Sequence, residues 1–319
     1  MTRTDGLLDR RRARVVRRHV LRGAHCLRRG WYAEGERWAR RAEEVAHRLD
    51  PAGHPALMVE LASLWHGLIR YRPARECALR AAGPLSAAPP GPGRDGPLVD
   101  ALVLLGDVER RLARYGRAEA YLRRAEELTG AAGAAGRRRL VAVRLALGVL
   151  CKETGRHGEA EVLYREALAL LERHGGDPLA RADALHNLAG LAHARREDGG
   201  ERHIRAALGI RRAVLGPRHV QVAADLAVLG ALLTERGDLD EAEDALRRAE
   251  GILREHLGDD HYEVAVCQVN LARLDALRGR ADEAARRRRD ALRVKRLTLG
   301  PDHPEVRRLA ACVPGRERR

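Results

Sequence analysis

The feature that most constrains this chain is a small residue that recurs at a nearly constant interval. Gly or Ala occupies seven positions that are spaced 39 to 44 residues apart. An alanine stands 19 positions after each of them, or 18 positions after in the fifth copy. A position stays small where two helices approach closely. The spacing therefore predicts seven copies of a two-helix repeat. The paired positions are Gly23 and Ala42, Ala62 and Ala81, Gly106 and Ala125, Gly148 and Ala167, Ala189 and Ala207, Gly230 and Ala249, and Ala272 and Ala291.

The residues between each pair predict a turn and the start of a second helix. Glycine stands between the two small sites in several copies, where it can end a helix in the left-handed conformation. A third small site lies between the pair, at Gly35, Ala74, Ala118, Ala160, Ala242 and Ala284. A larger residue four positions after it, or near it in the fifth copy, would fill the space beside the first small site. The turn glycines are Gly30, Gly155, Gly237 and Gly279, and the larger residues are Leu122, Tyr164, Ile204 and Leu246.

The composition agrees with an all-α fold. The chain has no Phe, 3 Trp and 6 Tyr, so its core must be built from Leu, Ala and Val, and Leu and Ala are strong helix formers. All basic residues except Lys152 and Lys295 are arginine, which is typical of a GC-rich bacterial genome of the actinobacterial kind.

Three short segments carry a family resemblance. LGPRHVQVA from Leu215, LGDDHYEVA from Leu257 and LGPDHPEVR from Leu299 lie 42 residues apart, and NLA and GDLDEAE motifs accompany them. This pattern resembles the tetratricopeptide repeat, in the longer form found in kinesin light chains and their bacterial relatives. The resemblance implies a right-handed solenoid of about seven helix-turn-helix repeats with a C-terminal capping helix, whose first helices line a concave groove.

The strength of the pattern divides the chain into four parts. Residues 1–82 read as a basic segment, disordered over 1–14, followed by two degenerate repeats. Residues 83–97 are too rich in Pro and Gly to be helical and are expected to form a linker, which is either a hinge or a long loop. Residues 98–313 hold five clearer repeats and the capping helix, and 314–319 form a basic tail.

The net charge of +15 is concentrated at the two ends. Residues 1–50 contain 14 arginines against 7 acidic residues, and residues 280–319 contain 13 basic against 6 acidic residues. Terminal repeats need a polar outer face, so this charge suits solvated caps. A contact with an anionic partner is the alternative reading. Nucleic acid is disfavoured because the arginine runs wrap around their helices and have few aromatic residues beside them.

A stripe of polar residues along the first helices is the candidate binding site. The stripe carries both charges, which suits a peptide or helix of another protein better than a polyanion. Its residues are Asp107, Arg110, Arg111, Lys152, Asp183, His186, His193, Thr234 and Arg273.

Catalysis and metal binding receive little support from the sequence. Asp183, His186 and His193 fall on one helical stripe, but no HExxH motif or second ligand cluster accompanies them. The histidines at 219, 261 and 303 repeat every 42 residues, too far apart to share one ion, and are expected to cap or pack the following helices. We therefore expect no catalytic residue, no metal and no cofactor.

The remaining sequence signals favour a cytoplasmic protein. The five cysteines are far apart within apolar helical patterns, as buried free thiols are. No signal peptide and no membrane span are visible. The leading hypothesis is a non-catalytic scaffold or adaptor that binds a peptide or helix in its groove. The alternatives are a regulatory sensor whose array closes on a small peptide or metabolite, and a basic nucleic-acid accessory protein.

Overall fold

The computed structural model describes residues 3–129 and 133–313, and these ranges form helices without a strand. The helices follow one another as seven pairs and a final single helix. Their bounds are α1 Arg3–Arg28, α2 Tyr32–Ala46, α3 Pro55–Gly67, α4 Tyr71–Ala87, α5 Pro92–Arg111, α6 Tyr115–Leu128, α7 Gly133–Glu153, α8 His157–His174, α9 Pro178–Arg195, α10 Gly200–Leu215, α11 Val220–Arg236, α12 Leu239–Leu257, α13 Tyr262–Leu277, α14 Ala281–Leu299 and α15 Pro304–Ala311.

The chain divides into two compact units, Met1–Gly176 and Asp177–Arg319. Unit 1 holds α1 to α8 and unit 2 holds α9 to α15, and in each the two helices of a pair pack on one another across a short turn. First helices of neighbouring copies also touch, as α3, α5 and α7 do in unit 1 and α9, α11 and α13 do in unit 2. The predicted all-α repeat fold is confirmed.

The recurring small residues pack where the spacing predicts. Gly106 and Gly230 lie on first helices against the second helices of their own copies, and a Cβ on either would stand 2.5 Å from Cγ of Leu122 or Leu246. Gly148 meets the ring of Tyr164 in the same way. A methyl group at these positions would overlap the neighbour, so the interval of about 42 residues records a steric requirement.

All seven hairpins turn at the same point, seven residues after the first small site. Gly30, Gly155, Gly237 and Gly279 have positive φ there, as predicted. In the other three copies, residues with a side chain adopt the same left-handed conformation. These are Ile69, Ala113 and Arg196, with φ of 59°, 55° and 57°.

The segment expected to be a linker is helical over most of its length. Helix α4 continues through Ala87 and α5 begins at Pro92, so only residues 88–91 lie between them. Proline is tolerated in the first turn of a helix, where its missing N–H has no intrahelical partner. Burial of Leu85 and Leu98, each almost fully enclosed, offsets the prolines inside these helices. The units divide at Gly176 and not at this segment.

Three further expectations concern the ends of the chain and the cysteines. The disordered start expected over residues 1–14 is wrong from Arg3 onward, since α1 begins there and Asp9 within it lies 3.0 Å from His54 Nε2. Cys312 is exposed, because it caps the short helix α15, whereas the other four cysteines are buried as predicted. The basic tail at 314–319 lies outside the described residues.

Ion pairs link neighbouring copies of the repeat. Arg70 donates two hydrogen bonds to Glu36, at 3.1 and 2.8 Å, although 34 residues separate them. Arg156 reaches Glu119 at 2.7 Å, and Arg280 bonds to Glu243 at 3.3 and 3.1 Å. Arginine suits these positions because its guanidinium can donate two parallel bonds to one carboxylate.

Candidate functional site

The first-helix surface of unit 1 consists of His66 on α3, Asp107, Arg110 and Arg111 on α5, and Lys152 and Glu153 on α7. Neighbouring first helices are in contact, so side chains one copy apart can meet. The equivalent first-helix surface of unit 2 is formed by three consecutive first helices. Its residues are Asp183, His186 and His193 on α9, Asp225 and Glu235 on α11, and Arg273 on α13.

Asp107 is the centre of the surface in unit 1. His66 Nε2 lies 2.6 Å from Asp107 Oδ2, and Arg110 Nε donates to Oδ1 at 3.0 Å. Burial disfavours the charged carboxylate, but Arg110 and His66 outweigh burial and hold the pKa of Asp107 well below its ordinary value. Asp107 is therefore an ionised link between α3 and α5.

Arg110 has a structural role in the same network. Its side chain is 6% exposed, and besides Asp107 it forms an ion pair with Glu153 on α7. A buried guanidinium held by two carboxylates is costly to disturb. Arg110 was predicted as a groove residue; it lies beneath this surface and orients its neighbours.

Lys152 and Arg111 are the cations of this surface that remain accessible. Arg111 is 31% exposed, and its guanidinium carbon lies 5.5 Å from the ring centroid of Tyr71. Lys152 is partly exposed, and within residues 3–129 and 133–313 its amine has no hydrogen bond or ion pair. Burial, followed by the charges of Arg110 and Arg111, lowers the pKa of Lys152, and only Glu153 opposes them.

Tyr164 lies buried beneath the first-helix surface of unit 1. Its ring is fully buried against Gly148, and burial raises the pKa of its hydroxyl. The charges of Arg110 and Glu153 act on this hydroxyl, which has no hydrogen-bond partner in the part of the chain that the structure describes. The third and sixth copies, which also have glycine at the small site, place Leu122 and Leu246 here, so the hydroxyl is particular to this copy.

In unit 2, Asp225 holds a second network. It is fully buried, His186 Nδ1 lies 2.7 Å from its Oδ1, and Arg211 of α10 forms an ion pair with it. Arg211 also donates to Asp183 Oδ1 at 2.5 Å. Burial raises the pKa of Asp183 despite Arg211. Asp183 and His186, which the sequence placed on one stripe, thus share a network with two residues that the stripe did not include.

A polar cavity of about 540 Å³ lies at the turn of the fifth copy, which is one residue shorter than in the other copies. His193 Nδ1 lies 2.8 Å from one oxygen of Glu235, and Arg273 donates to the other at 3.0 Å. Glu235 and Arg273 line the cavity with residues of the turn itself. Gly200 takes the third small site there, and a Cβ added to it would stand 3.1 Å from Ala192 Cβ. The shortened turn therefore keeps the repeat packing.

Thr234 does not belong to the accessible surface. Its side chain is buried, and its hydroxyl donates to the carbonyl of Gly230 at 2.6 Å. A threonine in a helix commonly satisfies its hydroxyl in this way, four residues back. The prediction of Thr234 as a groove residue came from its position on the stripe, and the packing of α11 encloses it.

The three periodic histidines cap helices, as predicted. His219, His261 and His303 each accept a hydrogen bond from the backbone N–H two residues later, at 3.2 Å. Each stands at the N-cap of a first helix or of α15. Within the described ranges, no group of three or more His, Cys, Asp or Glu side chains is arranged to hold a metal ion.

Sequence reasoning missed an arginine and tryptophan cluster in the first hairpin. The guanidinium carbons of Arg22 and Arg41 lie 4.7 and 4.9 Å from the ring of Trp38, beside a cavity of about 610 Å³ with a mainly apolar lining. Trp38 and Arg41 are three positions apart on a helix, and that spacing was a usable signal.

Two sequence-family models match the chain, both described as tetratricopeptide repeat. One matches residues 98–173 and 180–255, and the other matches residues 264–305. No curated protein sequence gives a significant match. None of the helices within the described ranges combines the length and hydrophobicity that crossing a membrane requires.

Solved structures of low sequence identity share the fold. BtubC (BKLC) from P. vanneervenii is 22% identical with a TM-score of 0.53, and the match covers 83% of this chain and 97% of that one. A Rap protein complexed with Competence and Sporulation Factor is 13% identical with a TM-score of 0.64, covering 93% and 85%. The quorum sensor NprR from B. thuringiensis is 16% identical with a TM-score of 0.58, covering 86% and 74%.

Proposed function

Because the chain belongs to the tetratricopeptide repeat family, we propose that it is a non-catalytic cytoplasmic scaffold or adaptor. In this proposal a peptide or helix of another protein binds along the first-helix surfaces. The partner carries both charges, since each surface offers both. Rigid helices present these side chains, so binding requires little ordering on this side of the complex.

One observation carries the proposal. On both surfaces, partly exposed side chains are held by contacts between copies: Asp107 contacts His66, and Glu235 contacts His193 and Arg273. Side chains held in this way form a preorganised row of donors and acceptors. Such a row recognises a ligand by the spacing of its charges, which is how an extended peptide or helix is distinguished from others.

The test is affinity capture from a lysate of the source organism with matched variants. Arg111→Ala with Lys152→Ala changes the surface of unit 1, and Arg273→Ala changes that of unit 2. Arg124→Ala is the control, because its side chain lies on the second helix α6, is 58% exposed and forms an ion pair with Glu127 of the same helix. Circular dichroism must show that all variants keep the helical content of the parent.

We expect the surface variants to lose partners that the parent and the Arg124→Ala control retain. If every captured partner remains bound to all the surface variants, the binding surface is assigned wrongly. A partner lost equally from the control would point to a surface outside the first helices, and the proposal would fail for that partner.

A second candidate is a sensor that changes shape when it binds a small peptide or metabolite. The polar cavity at the turn of the fifth copy favours it, and so does likeness in fold to a Rap protein complexed with Competence and Sporulation Factor and to the quorum sensor NprR. Small-angle scattering with and without a fractionated host extract tests it. A radius of gyration that falls with one fraction supports the sensor, and unchanged dimensions with every fraction count against it.

A further inference from the structure

One side of the first hairpin lacks the helix that later copies hold in the same place. In unit 1, α2 packs on α3, α4 on α5 and α6 on α7, so the second helix of each copy covers the first helix of the next. In the part of the chain that the structure describes, α1 packs on α2 and α3, and no second helix covers its other side. That side of α1 is an uncovered helix face.

Contacts in the later copies identify the residues of α1 that lie on this face. Asp225 and Cys267, each five positions before the small site of its copy, contact the second helix that precedes them, α10 and α12 respectively. The same position of α1 is Arg18. Directly before the small site the six later copies have leucine, and α1 has Arg22. Both positions are buried in every later copy, whereas both arginines are exposed.

The cavity of about 610 Å³ lies on this face. Its lining is mainly apolar because it consists of Leu21, the ring of Trp38 and the alkyl stems of arginines. Arg14 and Arg18 have no ion pair among the side chains that the structure describes, and Arg22 lies over the ring of Trp38. An apolar floor with unpaired guanidinium groups at its rim suits an apolar side chain flanked by carboxylates. We call Arg14, Arg18, Leu21, Arg22 and Trp38 the end face.

The end face has the length and the spacing for one helix. Arg14, Arg18, Leu21 and His25 of α1 line the cavity at intervals of four, three and four residues, the spacing along which two helices pack. These residues span about 17 Å, or three helical turns. Leu21, near the middle, is 60% exposed and offers its side chain to a facing helix.

The charge and the aromatic contacts disfavour two other occupants. Residues 1–50 contain 14 arginines against 7 acidic residues, and residues 280–319 contain 13 basic against 6 acidic residues, so two copies would repel one another end to end. A nucleic-acid base would need a free aromatic face, but Arg22 and Arg41 already lie over the ring of Trp38, at 4.7 and 4.9 Å. An acidic helix meets neither obstacle.

We propose that the end face binds an acidic amphipathic helix of another protein, in the place that a second helix takes on α3, α5 and α7. Carboxylates of that helix pair with Arg14, Arg18 and Arg22. A large apolar side chain between them enters the cavity against Leu21 and Trp38. The bound helix thus extends the stack of unit 1 by one helix.

The end face is separate from the first-helix surface of unit 1, so this interaction goes beyond the proposed function. Asp107 and Arg110 of that surface stand one and four positions after the small site, whereas Arg18 and Arg22 stand five and one positions before it. With 3.6 residues per turn, these two sets of offsets fall on opposite sides of a helix. A ligand of the first-helix surface therefore leaves the end face uncovered.

The chain supplies a matched pair of probe peptides for the test, the second helices of the sixth and seventh copies. Peptides of residues 239–257 and 281–299 are both 19 residues long; the first has six acidic residues against three arginines, and the second has three acidic against seven basic residues. A third peptide, residues 239–257 with Ala245→Pro, keeps the acidic charge but cannot form a continuous helix. Fluorescence anisotropy of each labelled peptide, titrated with the full chain, measures binding.

The acidic peptide 239–257 is expected to bind with saturation at one site, whereas the basic peptide 281–299 is expected not to bind. The Ala245→Pro peptide should bind at least tenfold more weakly, because an interrupted helix cannot follow the end face. Binding of the acidic peptide should weaken as the salt concentration rises, since exposed arginines supply the charge.

Variants of the full chain locate the site. Arg18→Ala and Arg22→Ala should each weaken the acidic peptide about tenfold, as loss of one charge-assisted contact does. Arg18→Glu combined with Arg22→Glu should reverse the preference, so that the basic peptide binds and the acidic one does not. Arg72→Ala is the control, because its side chain on α4 is 92% exposed and lies outside the end face. Circular dichroism must show unchanged helical content.

Four results would overturn the proposal. The first is the absence of saturable binding of the acidic peptide, and the second is equal binding of the Ala245→Pro peptide. The third is binding that survives the Arg18 and Arg22 variants, or that is lost from the Arg111→Ala and Lys152→Ala variant, which would place the peptide on the first-helix surface. The fourth is tighter binding of double-stranded DNA or of phosphatidylglycerol vesicles that depends on Arg18 and Arg22, which would make the end face a phosphate-binding surface.

Discussion

Replacing Gly230 by alanine tests whether small residues set the spacing of the repeats. Gly230 lies in the middle of α11, where alanine alone would stabilise the helix by about 0.5–1 kcal/mol. The new methyl group, however, would stand 2.5 and 2.8 Å from two atoms of the fully buried Leu246 and 3.2 Å from the carbonyl oxygen of Ala242. Overpacking of this kind costs about 1–3 kcal/mol. The net expectation is a loss of about 1 kcal/mol, within a range of about 0–2.5 kcal/mol.

Gly251 provides the matched control in the same unit. It lies inside α12, and a Cβ there would meet nothing within 4 Å. Gly251→Ala should therefore stabilise the protein by about 0.5–1 kcal/mol, since only the helix propensity changes. The two substitutions are chemically identical, so their opposite signs would isolate the packing term.

Urea unfolding followed by circular dichroism measures both effects through the midpoint and the slope. The slope must be compared as well, because repeat arrays can unfold in stages. On a Leu246→Ala background, which itself costs about 2–5 kcal/mol, Gly230→Ala should become neutral or favourable. The steric argument is refuted if Gly230→Ala stabilises the parent protein as much as Gly251→Ala does.

Four further predictions address the ion pairs, the thiols and the turns. Asp225→Ala should lower the free energy of unfolding by about 3 kcal/mol, because the buried Arg211 loses one of the two carboxylates that pair with it and keeps Asp183; a loss below about 1 kcal/mol in urea would contradict this. Hydrogen bonds from arginines, with that of Arg280 the largest cause, lower the pKa of Glu243 to about 2. The stabilisation of the folded state by ionised Glu243 is therefore fully present above the unfolded pKa of about 4.5 and is lost as the pH falls toward 2. The gap in unfolding free energy between the parent and Glu243→Gln, about 2 kcal/mol near pH 7, should shrink over that window, and a gap independent of pH would disprove the assignment. With a thiol reagent, Cys312 should react at once in the native protein and the other four cysteines only after unfolding; fast reaction of more than one thiol in the native protein would contradict this. Ala113→Gly should raise the unfolding free energy by about 1 kcal/mol, because alanine is strained at φ 55°, and an unchanged midpoint would argue against strain at this turn.

The sequence predicts the fold of this chain well because the repeat pattern reflects steric contacts between pairs of residues. The small site, the larger residue facing it and the alanine of the second helix all lie within one hairpin, so one copy contains both partners of each contact. The turn shows the limit of reading residue types alone. Four copies have glycine at the turn, but Ile69, Ala113 and Arg196 take the same conformation because the packing on both sides imposes it. The constant offset of seven residues was the better signal.

The segment at residues 83–97 misled the sequence analysis for a related reason. Proline and glycine disfavour helix when local preferences decide, and here burial of apolar residues in α4 and α5 outweighs them. Leu85 and Leu98 are buried on either side of the four residues that are not helical. The sequence contains both signals, but their relative size depends on how much surface the packed helices enclose.

The candidate site was only partly visible from the sequence. Helical spacing placed Asp107, Arg110 and Lys152 on one face, and the structure brings them together. Which of them is accessible depends on residues one copy away. Arg110 is buried in an ion pair with Glu153 of the next copy, and Lys152 has no such carboxylate partner among the residues that the structure describes. Thr234 is enclosed by its own helix packing. Burial at these positions is a property of neighbouring repeats, which no single helix reveals.

The ion pairs between copies bear on how an array of this kind can change length. In unit 2, Arg236 in the turn of one copy pairs with Glu201 of the copy before it, and Arg278 pairs with Asp240 in the same sense. The sixth copy thus offers an acid to its successor and an arginine to its predecessor. A duplicate of this copy would meet matching charges at both of its junctions, and its deletion would bring an acid of the fifth copy to an arginine of the seventh. Gain or loss of this whole repeat would therefore keep an acid opposite an arginine at each junction of the unit.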